Sequence, residues 1–112
     1  METVQVYAIR TFTTREGKNP FFDWFDSLRH GNFKARILNR LARVRQGNLG
    51  DYRDLKGGIH ELRLFFGSGY RIYFARKGDT IILLIGGTKG SQKRDIERAR
   101  SYYRDYLERE DG

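Results

Sequence analysis

The run Gly58–Phe74, GIHELRLFFGSGYRIYF, constrains this chain more than any other stretch. Apolar and polar residues alternate on both sides of a Gly-Ser-Gly turn, the period of an extended strand whose successive side chains point to opposite faces. Two strands joined by a tight turn follow from it. Leu62 and Leu64 share a face with Ile72 and Phe74; Glu61, Arg63, Arg71 and Tyr73 share the other. If the first set meets a core, the second stands on an open sheet surface. Two guanidiniums and a phenol there suit a phosphate-bearing ligand, because Arg offers a planar fork matched to phosphate oxygens. A solvated sheet face, with Glu61 paired to Arg63 or Arg71, fits the same alternation.

Charge sharpens the choice of partner. The chain carries a formal charge of +8 and a pI near 10.0, which points to an anionic partner. Ser27–Gly50 holds six Lys or Arg residues and no acid, and Lys56–Lys77 holds five basic residues against one acid. From Lys89 onward the balance is seven against six, so the positive field belongs to the middle of the chain. Nucleic acid is the commonest partner of such a field, and an acidic protein or an anionic membrane surface also satisfies it. There are no cysteines, and the two histidines, His30 and His60, are too isolated to suggest zinc. No apolar run approaches the roughly 20 residues that span a bilayer. The N-terminus lacks the basic-then-apolar order of a secretory signal, so a cytoplasmic protein is expected.

The 112 residues suit a single domain. Thr3–Phe12 alternates, with Val4, Val6 and Ala8 against Gln5, Tyr7 and Ile9, and predicts a first strand. Asn19-Pro20 signals a helix start, Asn as cap and Pro at the first helical position. Phe21, Phe22, Trp24, Phe25 and Leu28 give that helix an aromatic stripe for burial, and His30-Gly31 ends it. Asn32 is placed to cap a second helix with Phe33, Ile37, Leu41 and Val44 at helical spacing, stopped by Gly47; the short connection predicts an antiparallel helical pair. A short strand is expected at Tyr52–Leu55. Thr80–Ile85 is apolar on both faces and predicts a covered strand, ended by Gly86-Gly87. Ser91 is placed to cap a last helix bearing Ile96, Ala99, Tyr103, Tyr106 and Leu107. Tight turns favour antiparallel pairing among the later strands, with helices on one sheet face and the other open or partly covered by the tail.

An ordered set of residues then becomes recognisable: Trp24, Arg40–Arg43 leading to Gly47-Asn48 and Gly50-Asp51, Leu55–Gly58, Glu61–Arg63, Gly69–Phe74, Leu83-Leu84 with Gly86-Gly87, Lys89, Gln92, and Asp95-Ile96 with Ala99. From about Tyr7 to Tyr106 this set resembles the RelE/ParE superfamily of bacterial toxins, in particular its HigB-like branch of addiction-module killer proteins. The resemblance implies an α+β, RelE-like fold: an N-terminal strand, a two-helix hairpin, an antiparallel sheet of three to four strands and a C-terminal helix. It implies a toxin that cuts mRNA, usually in the ribosomal decoding site, without metal or cofactor. It also implies a cognate antitoxin, in this branch typically a helix-turn-helix repressor, as partner, with no membrane.

Metal-free RNA cleavage must deprotonate the 2′-hydroxyl, stabilise the phosphorane and protonate the leaving 5′-oxygen. By resemblance, Arg71 stabilises the transition-state phosphate, Arg63 shares that role, and Lys89 binds phosphate or assists the leaving group. Tyr73 is assigned base stacking or proton transfer, and Lys56, Lys93 and Arg76 further RNA contacts. By strand parity His60 falls on the buried side or at the strand entrance and reads as structural, and Glu61 reads as a salt-bridge partner. Some relatives carry a tyrosine or histidine in the tail; Gln92–Asp95 has neither. A second function therefore stays open, a ParE-like inhibitor of DNA gyrase that binds without catalysis. A third is a degraded toxin kept as a binding partner or corepressor.

Overall fold

A computed structural model describes residues 6–111. Thr3, Val4 and Gln5, expected in the first strand, lie outside the described residues. The elements are strand β1 (Ala8–Thr11), helices α1 (Pro20–Ser27) and α2 (Gly31–Arg45), strands β2 (Tyr52–Asp54), β3 (Ile59–Arg63), β4 (Tyr70–Lys77) and β5 (Thr80–Thr88), a 3-10 turn (Lys89–Ser91) and helix α3 (Gln92–Asp111).

The protein is α+β, built on one five-stranded sheet in the order β1-β5-β4-β3-β2. The later strands form an antiparallel meander, as their tight turns require. The first strand joins the same sheet as a fifth strand and lies parallel to β5, with Ala8 opposite Thr80 and Thr11 opposite Leu83, a pairing the sequence left unassigned. A parallel neighbour needs a long crossover, supplied here by the residues between β1 and β5. Just before β1 the alternation runs opposite to the expected sense: Tyr7 is buried in the core while Val6 is exposed.

Both sheet faces are covered, so of the two expectations for the second face, open or partly covered by the tail, the structure shows the tail. Leu62, Leu64, Ile72 and Phe74 meet Phe21, Ile37, Leu41 and Val44 beneath the first two helices. On the reverse face Ile59, Tyr73, Ala75, Ile82 and Leu84 meet Ala99 of α3, with Phe12. The stripe Ile96, Tyr102, Tyr103 and Tyr106 packs on this second core, and an amphipathic helix of that length buries its apolar stripe wherever a sheet offers one.

The helix caps differ in part. Asn19 Oδ1 accepts from the Phe22 amide at 3.0 Å, and Pro20 opens α1. The second helix begins one residue before Asn32, at Gly31, with His30 in the cap position and no side-chain hydrogen bond there. Of the aromatic stripe on α1, Phe21 is buried and Phe22 is exposed. This helix rests chiefly on β5 rather than along α2, so the expected helical hairpin is not a closely packed pair.

Gly86 and Gly87 do not end the strand; they lie inside β5. A register shift between Tyr73 and Phe74 pairs Ile85 with Tyr73 and Leu83 with Phe74, so Leu84 is an extra residue that re-aims the remainder of the strand. Gly86 then faces α1 and Gly87 faces α3. A Cβ on Gly86 would overlap the Trp24 ring, and one on Gly87 would overlap the Asp95 carboxylate. Glycine is what allows these close approaches.

Candidate functional site

Antiparallel register assembles the site. Arg53 of β2, Glu61 of β3 and Tyr73 of β4 stand in one row across the sheet, and Arg63 and Arg71 stand opposite each other in the next row. All five point to the face that α3 covers, near the end of the sheet where α3 begins. Glu61 is the centre. Its Oε1 lies 3.3 Å from Arg63 Nε and 3.9 Å from Arg53 Nε, and its Oε2 lies 4.0 Å from Arg71 Nε. Gln92, the first residue of α3, donates its side-chain amide to Oε2 at 2.7 Å.

Three guanidiniums thus share one carboxylate, an excess of positive charge in one place. They form a gradient of access, with side-chain exposures of 12% for Arg71, 32% for Arg63 and 51% for Arg53. Arg71 Nε is buried and donates no hydrogen bond among the described residues. An unpaired buried donor on a cation is an unmet electrostatic demand that an anion relieves.

The turn after β5 frames the site. Ser91 Oγ donates to Asp95 Oδ2 and accepts from the Thr88 amide at 3.2 Å. Asp95 is buried against the bare backbone of Gly87, so serine and aspartate clamp the 3-10 turn where it joins α3. That clamp sets Lys89 beside Gly69 of the β3–β4 loop and Gln92 against Glu61. A cavity of about 570 Å³ opens between α1 and α3, lined by Trp24, Gly86, Gly87, Ser91, Arg94 and Asp95.

The residues singled out from the sequence divide into three groups. Arg63, Arg71 and Glu61 come together, with exposed Lys89 close by in the chain's path. Glu61 is fully buried rather than on an open face. Tyr73 is adjacent but fully buried behind Glu61, which corrects its assignment as a base-stacking platform, because stacking needs an accessible ring face. Burial, then the Glu61 carboxylate, holds its phenol well above the ordinary range.

Lys56 and Arg76 lie apart from the cluster. Lys56 sits in the turn that enters β3, at the opposite end of that strand from Arg63, with its ammonium 3.8 Å from Asp54. The Arg76 guanidinium lies 4.8 Å from the centre of the Tyr7 ring. Lys93 is exposed on the first turn of α3 beside Arg94 and Glu97. His60 faces the other core, stacked on Phe74 at 5.1 Å, with Nδ1 3.9 Å from Asp54. Burial holds its imidazole below the usual value. The sequence reading of His60 as structural matches this placement.

Two participants went unassigned in the sequence. Arg53 belongs to a strand of only three residues in a turn-rich segment, and its parity is set by pairing with β3, which no local pattern announces. Gln92 stood out only as a recognisable marker; its role depends on where α3 docks.

No family model matches the chain. A protein of Haemophilus influenzae Rd, named only "Uncharacterized protein", is 41% identical over 99 residues, spanning 88% of this chain and 91% of that protein.

Proposed function

The chain belongs to one family with that Haemophilus influenzae protein, whose name carries no activity, and on the site itself we propose that it is a RelE/ParE-type toxin of the HigB-like branch. In this reading it is an endoribonuclease that cuts ribosome-bound mRNA and is neutralised by a cognate helix-turn-helix antitoxin. The observation that carries the reading is the convergence of Arg63 and Arg71 on one buried carboxylate at the start of α3. The order of strand, two helices, antiparallel meander and C-terminal helix supports the RelE-like assignment.

The chemistry assigned to the site is in-line attack of the 2′-oxygen on phosphorus, the 2′-hydroxyl proton passing to solvent water. The P–O5′ bond breaks, leaving a 2′,3′-cyclic phosphate and a 5′-hydroxyl that has taken up a proton. The incoming phosphate takes the place of Glu61 as counter-ion to Arg71 and Arg63. Their N–H groups then hold the oxyanions as charge builds on the phosphorane, the kind of fixed electrostatic support that dominates such steps. Lys89, on the rim, binds the neighbouring phosphate or protonates the leaving oxygen.

One observation favours the second reading, a ParE-like gyrase inhibitor. Glu61 is buried among arginines, Tyr73 is buried with a raised phenol pKa, and His60 faces the other core, so none of the three stands as an accessible proton acceptor. Incubating the purified protein with translating ribosomes and mapping mRNA 5′ ends separates the two. Discrete cuts, reduced by about 100-fold or more in a folded Arg71→Ala variant, are expected of the nuclease. Intact mRNA with loss of DNA supercoiling by gyrase would replace it with the second reading.

A further inference from the structure

A second surface lies next to the arginine cluster, across the β3–β4 loop. Phe65 and Phe66 are neighbours in that loop with opposite fates. Phe66 is an anchor: its ring centroid is 5.4 Å from Phe33 and 5.6 Å from Tyr70, and the Arg36 guanidinium lies 4.1 Å from its centre. With Phe66 pinned beneath α2, Phe65 is turned outward and is 78% exposed. A lone exposed phenylalanine is ordinary on a protein surface. This one lines a cavity of about 310 Å³ together with Arg36, Asn39, Arg40, Arg43 and Phe66, and no residue of that lining is acidic.

The cations of the groove differ in their availability. Arg40 is spent on the fold, donating to the carbonyls of Arg63 at 2.9 Å, Leu49 at 2.7 Å and Asp51 at 3.0 Å. Burial and then the nearby charge of Arg43 hold its guanidinium below the ordinary value, with the Asp51 carboxylate opposing. Arg43 is exposed. Arg36 lies over a ring, which leaves the donor edge of a guanidinium free to bind oxygen. Arg36 and Arg43 are two helical turns apart on α2, about 10 Å along the axis, a span that takes in more than one phosphate of an extended strand.

We propose that this groove binds single-stranded RNA, with a base stacked on Phe65 and flanking phosphates on Arg36 and Arg43. An aromatic face set among cations, with no carboxylate in the groove lining, suits a polyanion whose bases are unstacked; an apolar protein segment would leave Arg36 and Arg43 without counter-ions. Arg63 lies two residues before Phe65, and Arg40 ties α2 to the Arg63 carbonyl, so the groove borders the strand end that carries Arg63, while the Arg63 side chain itself turns to the α3 face. The inference rests on the proposed nuclease function for its choice of RNA, and binding tests it apart from cleavage.

The probe is a fluorescent single-stranded oligoribonucleotide of about ten nucleotides, 2′-O-methylated so that no 2′-hydroxyl is present to attack, followed by anisotropy. Phe65→Ala is expected to weaken binding about 5-fold or more, as losing one stacked base does. The same factor is expected in the Arg71→Ala background, because the two contacts are separate. Phe65→Leu should not restore affinity, since it keeps apolar bulk and lacks a ring. Arg36→Gln with Arg43→Gln should reduce the log–log salt slope by about 1.4, two single-strand phosphate contacts. Unchanged affinity in Phe65→Ala, or full affinity in Phe65→Leu, would overturn the proposal, including the case where Phe65→Ala abolishes only a protein contact. Uncut mRNA with the Phe65 effect intact removes the nuclease reading and leaves the groove; cut mRNA with a silent Phe65→Ala does the reverse.

Discussion

The Gln92 side-chain amide donates to Glu61 Oε2 at 2.7 Å, joining the first residue of α3 to a carboxylate in the interior of β3. The link makes the last helix part of the cationic site. Without a counter-ion Arg53, Arg63 and Arg71 would repel one another, and the backbone register that aligns them offers no relief. Glu61 is therefore the group that lets the arginines share a surface.

Replacing that charge tests the point. Glu61→Gln keeps the shape and leaves three guanidiniums facing a neutral amide. Unfolding free energy, read from urea melts, should fall by about 2 kcal/mol, less than for a fully buried pair because Arg53 and Arg63 reach solvent. Millimolar phosphate should restore part of that loss by supplying the missing counter-charge at the solvent-reaching Arg53 and Arg63. A variant as stable as the parent, and indifferent to phosphate, would mean that Glu61 does not hold the cluster together.

The alternation in Gly58–Phe74 was enough to place Leu62, Leu64, Ile72 and Phe74 in one core and the arginines on the reverse face. It was silent on what covers that face, since side-chain period reports direction and not company. Ile96, Ala99, Tyr103 and Tyr106 were visible as a helical stripe, but only tertiary docking places them over Tyr73 and Ile82. The parallel pairing of β1 with β5 was illegible for a similar reason: no turn links strands so distant in sequence. Gly86-Gly87 misled because glycine usually weakens a strand, whereas here Trp24 and Asp95 require the missing side chains.

Gly87→Ala converts that last observation into a measurement. The new methyl would meet Asp95 Oδ2 and Ser91 Oγ on the α3 side, forcing apart the clamp that sets Lys89 and Gln92. A stability loss of about 1–3 kcal/mol is expected, the usual range for overpacking a tight contact. Weaker binding to single-stranded RNA should accompany it. Asp95→Ala in the same background should return part of the stability by clearing the overlap. No loss in Gly87→Ala would show that the turn can shift freely.

His60 gives the fold a pH dependence whose sign is set by burial. Its folded pKa lies below the unfolded value of 6.5, lowered by burial and by Arg76, with Asp54 opposing. Between the two values the unfolded chain binds more protons. The stability from this group is therefore complete above about 6.5 and is lost as pH falls through the folded value. The Asp54 carboxyl, held low first by the Lys56 amide, titrates below this window. Urea midpoints should drop between about pH 7 and pH 5, and His60→Phe, which keeps a ring on Phe74, should flatten that slope. An unchanged slope in His60→Phe would assign the effect to other groups.

Tyr73 supplies the sharpest division between support and chemistry. Its hydroxyl is buried, makes no hydrogen bond of good geometry among the described residues, and lies near the Glu61 carboxylate. With its pKa raised above the ordinary range by burial and by that charge, the phenol stays protonated near neutral pH and is no general base. Tyr73→Phe removes only this oxygen. Removing a buried polar atom that lacks a partner costs little and can stabilise. Unfolding free energy should stay within about 1 kcal/mol of the parent or rise, with RNA binding unchanged. If the protein cuts mRNA, the variant should keep its rate within a factor of about two, against the 100-fold or greater loss expected of a proton-transfer group. A large rate loss in a variant of full stability would return Tyr73 to the chemistry and require the Glu61–Gln92 contact to open during each turnover.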